Sequence, residues 1–113
     1  MDPDTCATPE EVILALGDPN PVKRKKALRE LCPCHVKRDI PEVWEMIIKM
    51  TEDKDPDVRY QALHNLCDGS PNTREEQIIE VLNRMHNDED KKIRRKVHQI
   101  LSSYRRTGEW NVM

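Results

Sequence analysis

A chain of 113 residues can bury one modest hydrophobic core but not two, so we expect a single domain over residues 1–113. Charged residues make up 35% of the sequence, hydrophobic residues 36%, and phenylalanine is absent, which predicts a thin, aliphatic core. No apolar run approaches the ~18 residues of a membrane-spanning helix, and the acidic start lacks the pattern of a secretory signal. We therefore expect a cytoplasmic protein with reduced thiols and no membrane contact.

The first pair of helices is predicted within residues 8–34. Thr8 and Glu11 have the spacing of a capping box, in which each side chain accepts from the other residue's backbone N–H, so a helix is expected to start there. A second helix is expected after Asn20. Its side chain suits the N-cap, and Pro21 suits the first helical position because it has no N–H to leave unpaired.

The same start signals recur twice along the chain. They predict two further helical pairs, within residues 39–69 and 73–106. We call the first helix of each pair the A helix and the second the B helix. The residues that carry the signals are Asp39, Glu42, Asp55 and Pro56 in the second pair, and Thr73, Glu76 and Asp90 in the third.

The three pairs are copies of one unit. Segments 18–31, 53–66 and 88–101 align without a gap at an offset of 35 residues. Amphipathic hairpins this short cannot bury their apolar faces singly, so they are expected to stack and share a core. The predicted fold is all-α, an α-solenoid of three helical hairpins. The aligned positions include Asp18, Asp53 and Asp88; Arg24, Arg59 and Arg94; and Leu31, Leu66 and Leu101.

This pattern resembles the HEAT-repeat family, including the HEAT-like repeats of bilin lyases. The family's signature is an Asp in the turn between the two helices, followed by Val-Arg early in the second helix. The resemblance implies that the Asp and Arg rows form ladders between adjacent repeats and that the B helices line a concave surface. The signature reads Asp53 with Val58-Arg59, Asp88 with Ile93-Arg94, and Asp18 with Lys23-Arg24, where Lys replaces the aliphatic residue.

Charge is segregated along the chain although the net charge is only −2. Lys and Arg exceed Asp and Glu by 4 in segment 23–31 and by 7 in segment 91–106, whereas segments 8–17 and 41–52 each carry a net charge of −2. A basic face on the B helices favours an acidic protein or peptide as the partner of a monomeric, non-catalytic binding or adaptor module. The predicted contact residues are Lys25, Lys26, Arg29, Tyr60, Gln61, His64, Lys92, Arg95, Lys96, Gln99 and Arg106.

Other interpretations of the same surface stay open. The basic face could follow a nucleic-acid backbone, with Tyr60 stacking on a base. It could also be an ordinary solvated surface. With only three glycines the sequence has no room for a phosphate-binding loop or a dinucleotide fingerprint, and no catalytic motif occurs, so we expect no enzyme and no cofactor.

A cluster of cysteines and histidines, together with the resemblance to bilin lyases, raises a third alternative, an accessory protein that handles metal or a tetrapyrrole. Cysteine and histidine are zinc ligands, but no C-x-x-C pair is present. A cysteine beside a helix end also packs well without metal, so no metal site is favoured. The residues concerned are Cys32, Cys34, His35, His64 and Cys67.

Residues 107–113 are predicted to form a short C-terminal cap. Gly108 predicts the end of the last helix. Trp110, Val112 and Met113 are then expected to fold back over the exposed apolar flank of the third repeat, with a docking motif for another protein as the alternative.

Overall fold

A computed structural model describes residues 9–31 and 41–113. Within these residues the secondary structure is entirely helical, as predicted. A 3-10 turn, Asn72–Arg74, precedes the fifth helix. The helices are α1 (Pro9–Leu16), α2 (Pro21–Glu30), α3 (Pro41–Met50), α4 (Pro56–Leu66), α5 (Glu75–Met85) and α6 (Lys91–Thr107); α1, α3 and α5 are the A helices, and α2, α4 and α6 the B helices.

All three B helices begin where the sequence predicts. The side chains of Asn20, Asp55 and Asp90 each accept a hydrogen bond from a backbone N–H in the first turn, at 2.9 to 3.2 Å. These bonds satisfy N–H groups that have no partner inside the helix. The predicted start at Thr73 is shifted, because Thr73 lies in the 3-10 turn and α5 begins at Glu75. Thr8 and Asp39 lie outside the described residues.

The three hairpins share one hydrophobic core. Each A helix packs on its own B helix, and neighbouring repeats meet through α1 with α3, α2 with α4, and α4 with α6. Trp44 and Leu63 are fully buried. Full burial of one large aliphatic side chain contributes about 1.5–3 kcal/mol, so stacking supplies the stability that a single short hairpin lacks. No described helix combines the length and hydrophobicity needed to cross a bilayer.

An arginine on each of the first two B helices ties its own turn to the next repeat. The Nε and one terminal nitrogen of Arg24 donate to the two carboxylate oxygens of Asp53, at 2.9 and 3.0 Å. Its other terminal nitrogen donates to the backbone carbonyls of Asp18 and Pro19, at 2.8 and 3.1 Å. The guanidinium therefore fixes both the turn before its own helix and the position of the next repeat.

The same rung recurs one repeat later. Arg59 donates to both carboxylate oxygens of Asp88 at 3.0 Å and to the backbone carbonyl of Asp53 at 2.8 Å. All four side chains of the two rungs are at most 13% exposed. This is the ladder that the resemblance implied, and it consists of two bidentate ion pairs.

Each aspartate of the ladder also braces its own turn. Asp53 and Asp88 accept the backbone N–H of the residue two positions on, at 2.9 and 2.8 Å. Burial of the Asp53 carboxyl opposes its ionisation. The hydrogen bonds from Arg24 and the Asp55 N–H, together with the Arg24 charge, outweigh burial and hold the pKa of Asp53 below its usual value.

Lys23, the departure from the repeat pattern, has a structural reason. It occupies the position of Val58 and Ile93, which are buried, but is itself exposed. Seven residues after Val58, on the same helix face, Asn65 donates to the Leu28 carbonyl of the preceding repeat at 2.8 Å. This face therefore meets the preceding repeat. In the first repeat the same face leaves Lys23 exposed.

The C-terminal segment folds back as predicted. Helix α6 ends at Gly108, whose φ of 77° lies in the left-handed region that favours glycine. Trp110 is 2% exposed, and its ring meets the edge of Tyr104 at a centroid distance of 6.1 Å. Met113 is partly buried against the core, whereas Val112 is exposed.

Asn111 and Met113 of this segment make hydrogen bonds to the loop between the second and third repeats. The Asn111 carbonyl oxygen accepts from the N–H groups of Gly69 and Ser70, at 3.1 and 2.9 Å, and its amide donates to the Ser70 carbonyl at 2.9 Å. The Met113 N–H donates to the Cys67 carbonyl at 3.0 Å. The cap therefore fastens the joint between two repeats as well as covering the third.

Replacing Asp53 with Asn tests the first rung of the ladder. Asparagine keeps the size and an acceptor oxygen but leaves the buried Arg24 charge without its counter-ion. We expect the free energy of unfolding at pH 7 to fall by about 2–4 kcal/mol, measured by urea denaturation. The matched control Glu89→Gln, at an exposed site, should change it by less than about 0.5 kcal/mol.

The stability difference between wild type and Asp53→Asn should depend on pH, in a direction set by the pKa of Asp53. Because the folded-state pKa of Asp53 is lowered, its contribution is complete above the unfolded value of about 3.9 and is lost as the pH falls through the folded value. The difference between wild type and Asp53→Asn should therefore shrink on acidification. Equal stability of the two proteins at pH 7 would contradict the ladder.

Replacing Asn111 with Ala tests the cap. The change removes three hydrogen bonds and leaves the N–H of the buried Ser70 without its partner, so we expect a loss of about 1–3 kcal/mol in unfolding free energy. Amide hydrogen exchange at Gly69 and Ser70 should also accelerate. Val112→Ala, at an exposed neighbour, is the control. If exchange at both amides stays at the wild-type rate, the tail does not hold this loop.

Candidate binding surface

The predicted contact residues all lie on the three B helices, and none of them is buried. Those on α4 are half-buried, whereas most on α2 and α6 are exposed. Eight of these residues line two separate grooves, whereas Gln61, His64 and Arg106 line neither. The members are Lys25, Lys26 and Arg29 on α2; Tyr60, Gln61 and His64 on α4; and Lys92, Arg95, Lys96, Gln99 and Arg106 on α6.

The first groove, which we call the α2 groove, lies between α2 and the start of α4. Lys25, Lys26 and Arg29 line one side of it. Asp55 and Asp57 line the other side, because both stand at the start of α4 where a carboxylate complements the helix dipole. The α2 groove therefore carries charges of both signs.

The second groove, the α6 groove, is more uniformly basic. It lies between Tyr60 of α4 and the outer side of α6, and none of its lining residues is acidic. The ammonium nitrogen of Lys92 lies 4.4 Å from the centroid of the Tyr60 ring, a cation–π contact that holds both side chains in the groove. The other lining residues are Lys91, Arg95, Lys96 and Gln99.

Gln61 and His64, between the two grooves, already have partners within the fold. The Gln61 amide donates to the side-chain oxygen of Asn65 at 2.9 Å, and Asn65 in turn donates to the Leu28 carbonyl on α2. His64 Nε2 lies 3.3 Å from the Asp68 carboxylate. Gln61 therefore supports the packing of α4 on α2. Arg106, in the last turn of α6, is exposed and lines neither groove.

Sequence reasoning missed Asn65. It is 2% exposed and makes the polar link between two repeats described above. The signal was present, because Asn65 occupies the repeat position of the buried apolar Ile100, and a polar residue at such a position needs a partner.

A third depression at the outer end of the stack was also missed. His86, Arg94, Arg95, His98 and Gln99 line it, and the two imidazole rings lie 6.0 Å apart between centroids. It shares Arg95 and Gln99 with the α6 groove, so the two surfaces are continuous. The sequence placed Arg94 in the ladder only, and the two histidines belong to no motif.

A depression beside the second rung is less suited to binding. Its lining includes Arg59 with Asp88 and Arg84 with Glu52. The first pair is the ladder rung, and the second is an exposed ion pair at 2.6 Å. These charges largely neutralise one another, so the site offers a ligand little net charge.

Of the two described members of the Cys/His cluster, Cys67 has the properties of a packing group, whereas His64 is partly exposed beside Asp68. Cys67 is fully buried in the core, and burial raises the pKa of its thiol to about 12. Among residues 9–31 and 41–113, no group of three or more potential ligands is arranged to hold a metal ion. Cys32, Cys34 and His35 lie outside the described residues.

The family model described as HEAT repeats matches residues 9–97 of the chain. Comparisons with curated proteins and with solved structures gave no match. The matched region contains both rungs of the ladder and most of the predicted contact residues. The narrower likeness to the repeats of bilin lyases stays a prediction from the sequence.

Alkylation tests the assignment of Cys67. Because the thiolate is the reactive form and burial disfavours it, iodoacetamide at pH 8 should leave Cys67 unmodified in the native protein and modify it in urea. Mass spectrometry of the peptide that contains Cys67 measures both states. Native modification at the rate of a free thiol in solution would show that Cys67 is accessible and reactive.

Proposed function

The chain belongs to the HEAT-repeat family, whose repeats generally mediate protein interactions, and we propose that it is a small non-catalytic binding or adaptor module for an acidic protein or peptide. The partner lies along the B helices, with its carboxylates in the α6 groove. The α2 groove supplies a second contact through Lys25, Lys26 and Arg29.

The composition of the α6 groove carries this proposal. Four cationic side chains and one aromatic ring line it, no acid does, and none of those four cations takes part in the ladder. An acidic segment would gain charge-assisted hydrogen bonds there, which are stronger than neutral ones. Tyr60 adds an apolar surface beside the charges. The cationic residues are Lys91, Lys92, Arg95 and Lys96.

A protein partner is favoured over nucleic acid by the acids of the α2 groove. A phosphate backbone carries charge at every nucleotide, so a strand that spans both grooves would pass Asp55 and Asp57. A peptide can place its carboxylates in the α6 groove and neutral or basic residues beside these two acids. The net charge of −2 agrees with this preference.

The proposal also places the module in the cytoplasm as a monomer. The free thiol of Cys67 suits a reducing compartment. Metal or tetrapyrrole handling is not part of the proposal, because the described candidate ligands, His64 and Cys67, lie beside Asp68 and within the core, respectively.

Charge reversal tests the proposed surface. The probe is a fluorescent octa-aspartate peptide, compared with a single-stranded oligonucleotide of equal charge. Reversing Arg29 and Arg95 together, one in each groove, to Glu should weaken peptide binding by about tenfold or more, or about 1.4 kcal/mol. Fluorescence anisotropy measures both affinities.

The matched control is the double variant Lys54→Glu and Arg105→Glu. It changes the net charge equally at two exposed sites outside both grooves and should weaken binding by less than about twofold. Equal loss in both double variants would mean that only net charge matters. Tighter binding of the oligonucleotide than of the peptide, with a steep fall as salt rises, would establish nucleic acid as the partner class.

A further inference from the structure

The third arginine of the row is held like the first two. One terminal nitrogen of Arg94 donates to the backbone carbonyls of Asp88 and Glu89, at 2.6 and 2.9 Å. Arg24 makes the equivalent pair of bonds to Asp18 and Pro19. The backbone of its own turn therefore restrains the Arg94 guanidinium, although the residue is exposed.

What differs is the remaining edge of the guanidinium. In Arg24 and Arg59 the Nε and the second terminal nitrogen donate to the carboxylate of the aspartate 29 positions further along the chain. No described carboxylate contacts that edge of Arg94. One terminal nitrogen of Arg94 is thus held by the backbone, while its Nε and its other terminal nitrogen remain available as a bidentate donor pair.

None of the residues that line the depression around Arg94 is acidic. Arg94 lies in the depression at the outer end of the stack with His86, His98 and Arg95. His98 is exposed, although it occupies the repeat position of Leu28 and Leu63, which are fully buried in the core. With two arginines and no acid in its lining, the depression suits an anionic group of a ligand.

We propose that the Nε edge of Arg94 is a carboxylate-binding subsite, which takes an Asp or Glu side chain of a protein partner. The carboxylate would accept two parallel hydrogen bonds, as Asp53 and Asp88 do in the filled rungs. Because backbone bonds already restrain the guanidinium, less conformational entropy is lost on binding than for a free surface arginine.

The position of the subsite indicates how such a partner would run. The end depression and the α6 groove share Arg95 and Gln99, so one acidic segment can lie in the groove and turn its next carboxylate onto Arg94. In this respect the inference rests on the proposed function. It adds a residue that the predicted face did not contain, and it assigns that residue one specific geometry.

A second copy of this chain is the less suitable occupant. Its Asp18 has the right chemistry, because Asp18 accepts the Asn20 N–H at 2.8 Å just as Asp53 accepts that of Asp55. However, stacking would bring Lys23 and Glu30 into the positions where Val58 and Asn65 are buried. Burying these charges without designated partners is unfavourable.

Nuclear magnetic resonance of the arginine Nε–Hε groups tests the subsite on the wild-type chain of 113 residues. Titration with octa-aspartate should shift the Arg94 Nε–Hε signal downfield, with the same dissociation constant as the backbone amides of the α6 groove. Octa-asparagine should leave the Arg94 signal unshifted. The signal of the exposed Arg105 serves as the internal control. An unshifted Arg94 signal while the groove is saturated overturns the subsite and leaves the proposed function standing.

If octa-aspartate fails to bind the groove, the proposed function falls, and N-acetylaspartate then tests the subsite alone. A larger shift at Arg94 than at Arg105 supports the subsite, and equal shifts overturn it. If the free protein's Arg94 signal moves with protein concentration and Asp18→Asn abolishes this, the occupant is a second copy and the partner assignment is wrong.

A substitution at Arg94 distinguishes the effect of its bidentate donor pair from the effect of its positive charge. Arg94→Lys keeps the positive charge but loses the bidentate edge, so affinity for octa-aspartate should fall by about five- to tenfold while the salt dependence stays the same. Arg105→Lys should change affinity by less than about twofold. Melting temperatures of both variants show whether the turn survives. Wild-type affinity in a folded Arg94→Lys protein overturns the proposal.

Discussion

The bidentate pair between an arginine of one repeat and an aspartate of the next sets the geometry of this protein. Each rung joins three things at once: the turn before a B helix, the first turn of that helix and the turn of the following repeat. An apolar core does not by itself fix how one hairpin packs on another, because hydrophobic contacts are non-directional. Planar ion pairs are directional, and here they define the register of the stack.

The ladder also decides which charges remain for binding. Arg24 and Arg59 contribute to the basic composition of the B helices, but both are engaged in the rungs and largely covered, so they are not available for binding. The cations left over lie mainly on α6, where Lys92 and Arg95 flank Tyr60 in a groove without acids. Arg94 shares features with both groups of cations. It bonds to the backbone of its own turn, as the ladder arginines do, but it is exposed, as the binding-surface cations are.

Most of the fold could be predicted from the repeat pattern in the sequence. Three aligned copies placed Asn20, Asp55 and Asp90 at helix starts correctly, because a cap is a local property of the sequence. The candidate surface was less predictable. Helical periodicity puts Gln61 on the outer face, but only the three-dimensional structure shows that its amide donates a hydrogen bond to Asn65. Likewise the acids of the α2 groove come from a neighbouring repeat, and no pattern within one helix indicates which side chains face it across a groove.

A double-mutant cycle on the second rung measures the central interaction most directly. Arg59→Gln, Asp88→Asn and the double variant are compared with wild type by denaturant unfolding. If the pair defines the stack, the coupling energy between the two sites should be about 1–3 kcal/mol, with the double variant less destabilised than the sum of the single changes. Additive effects, with a coupling near zero, would show that the core alone holds the repeats in register and that the ladder is incidental.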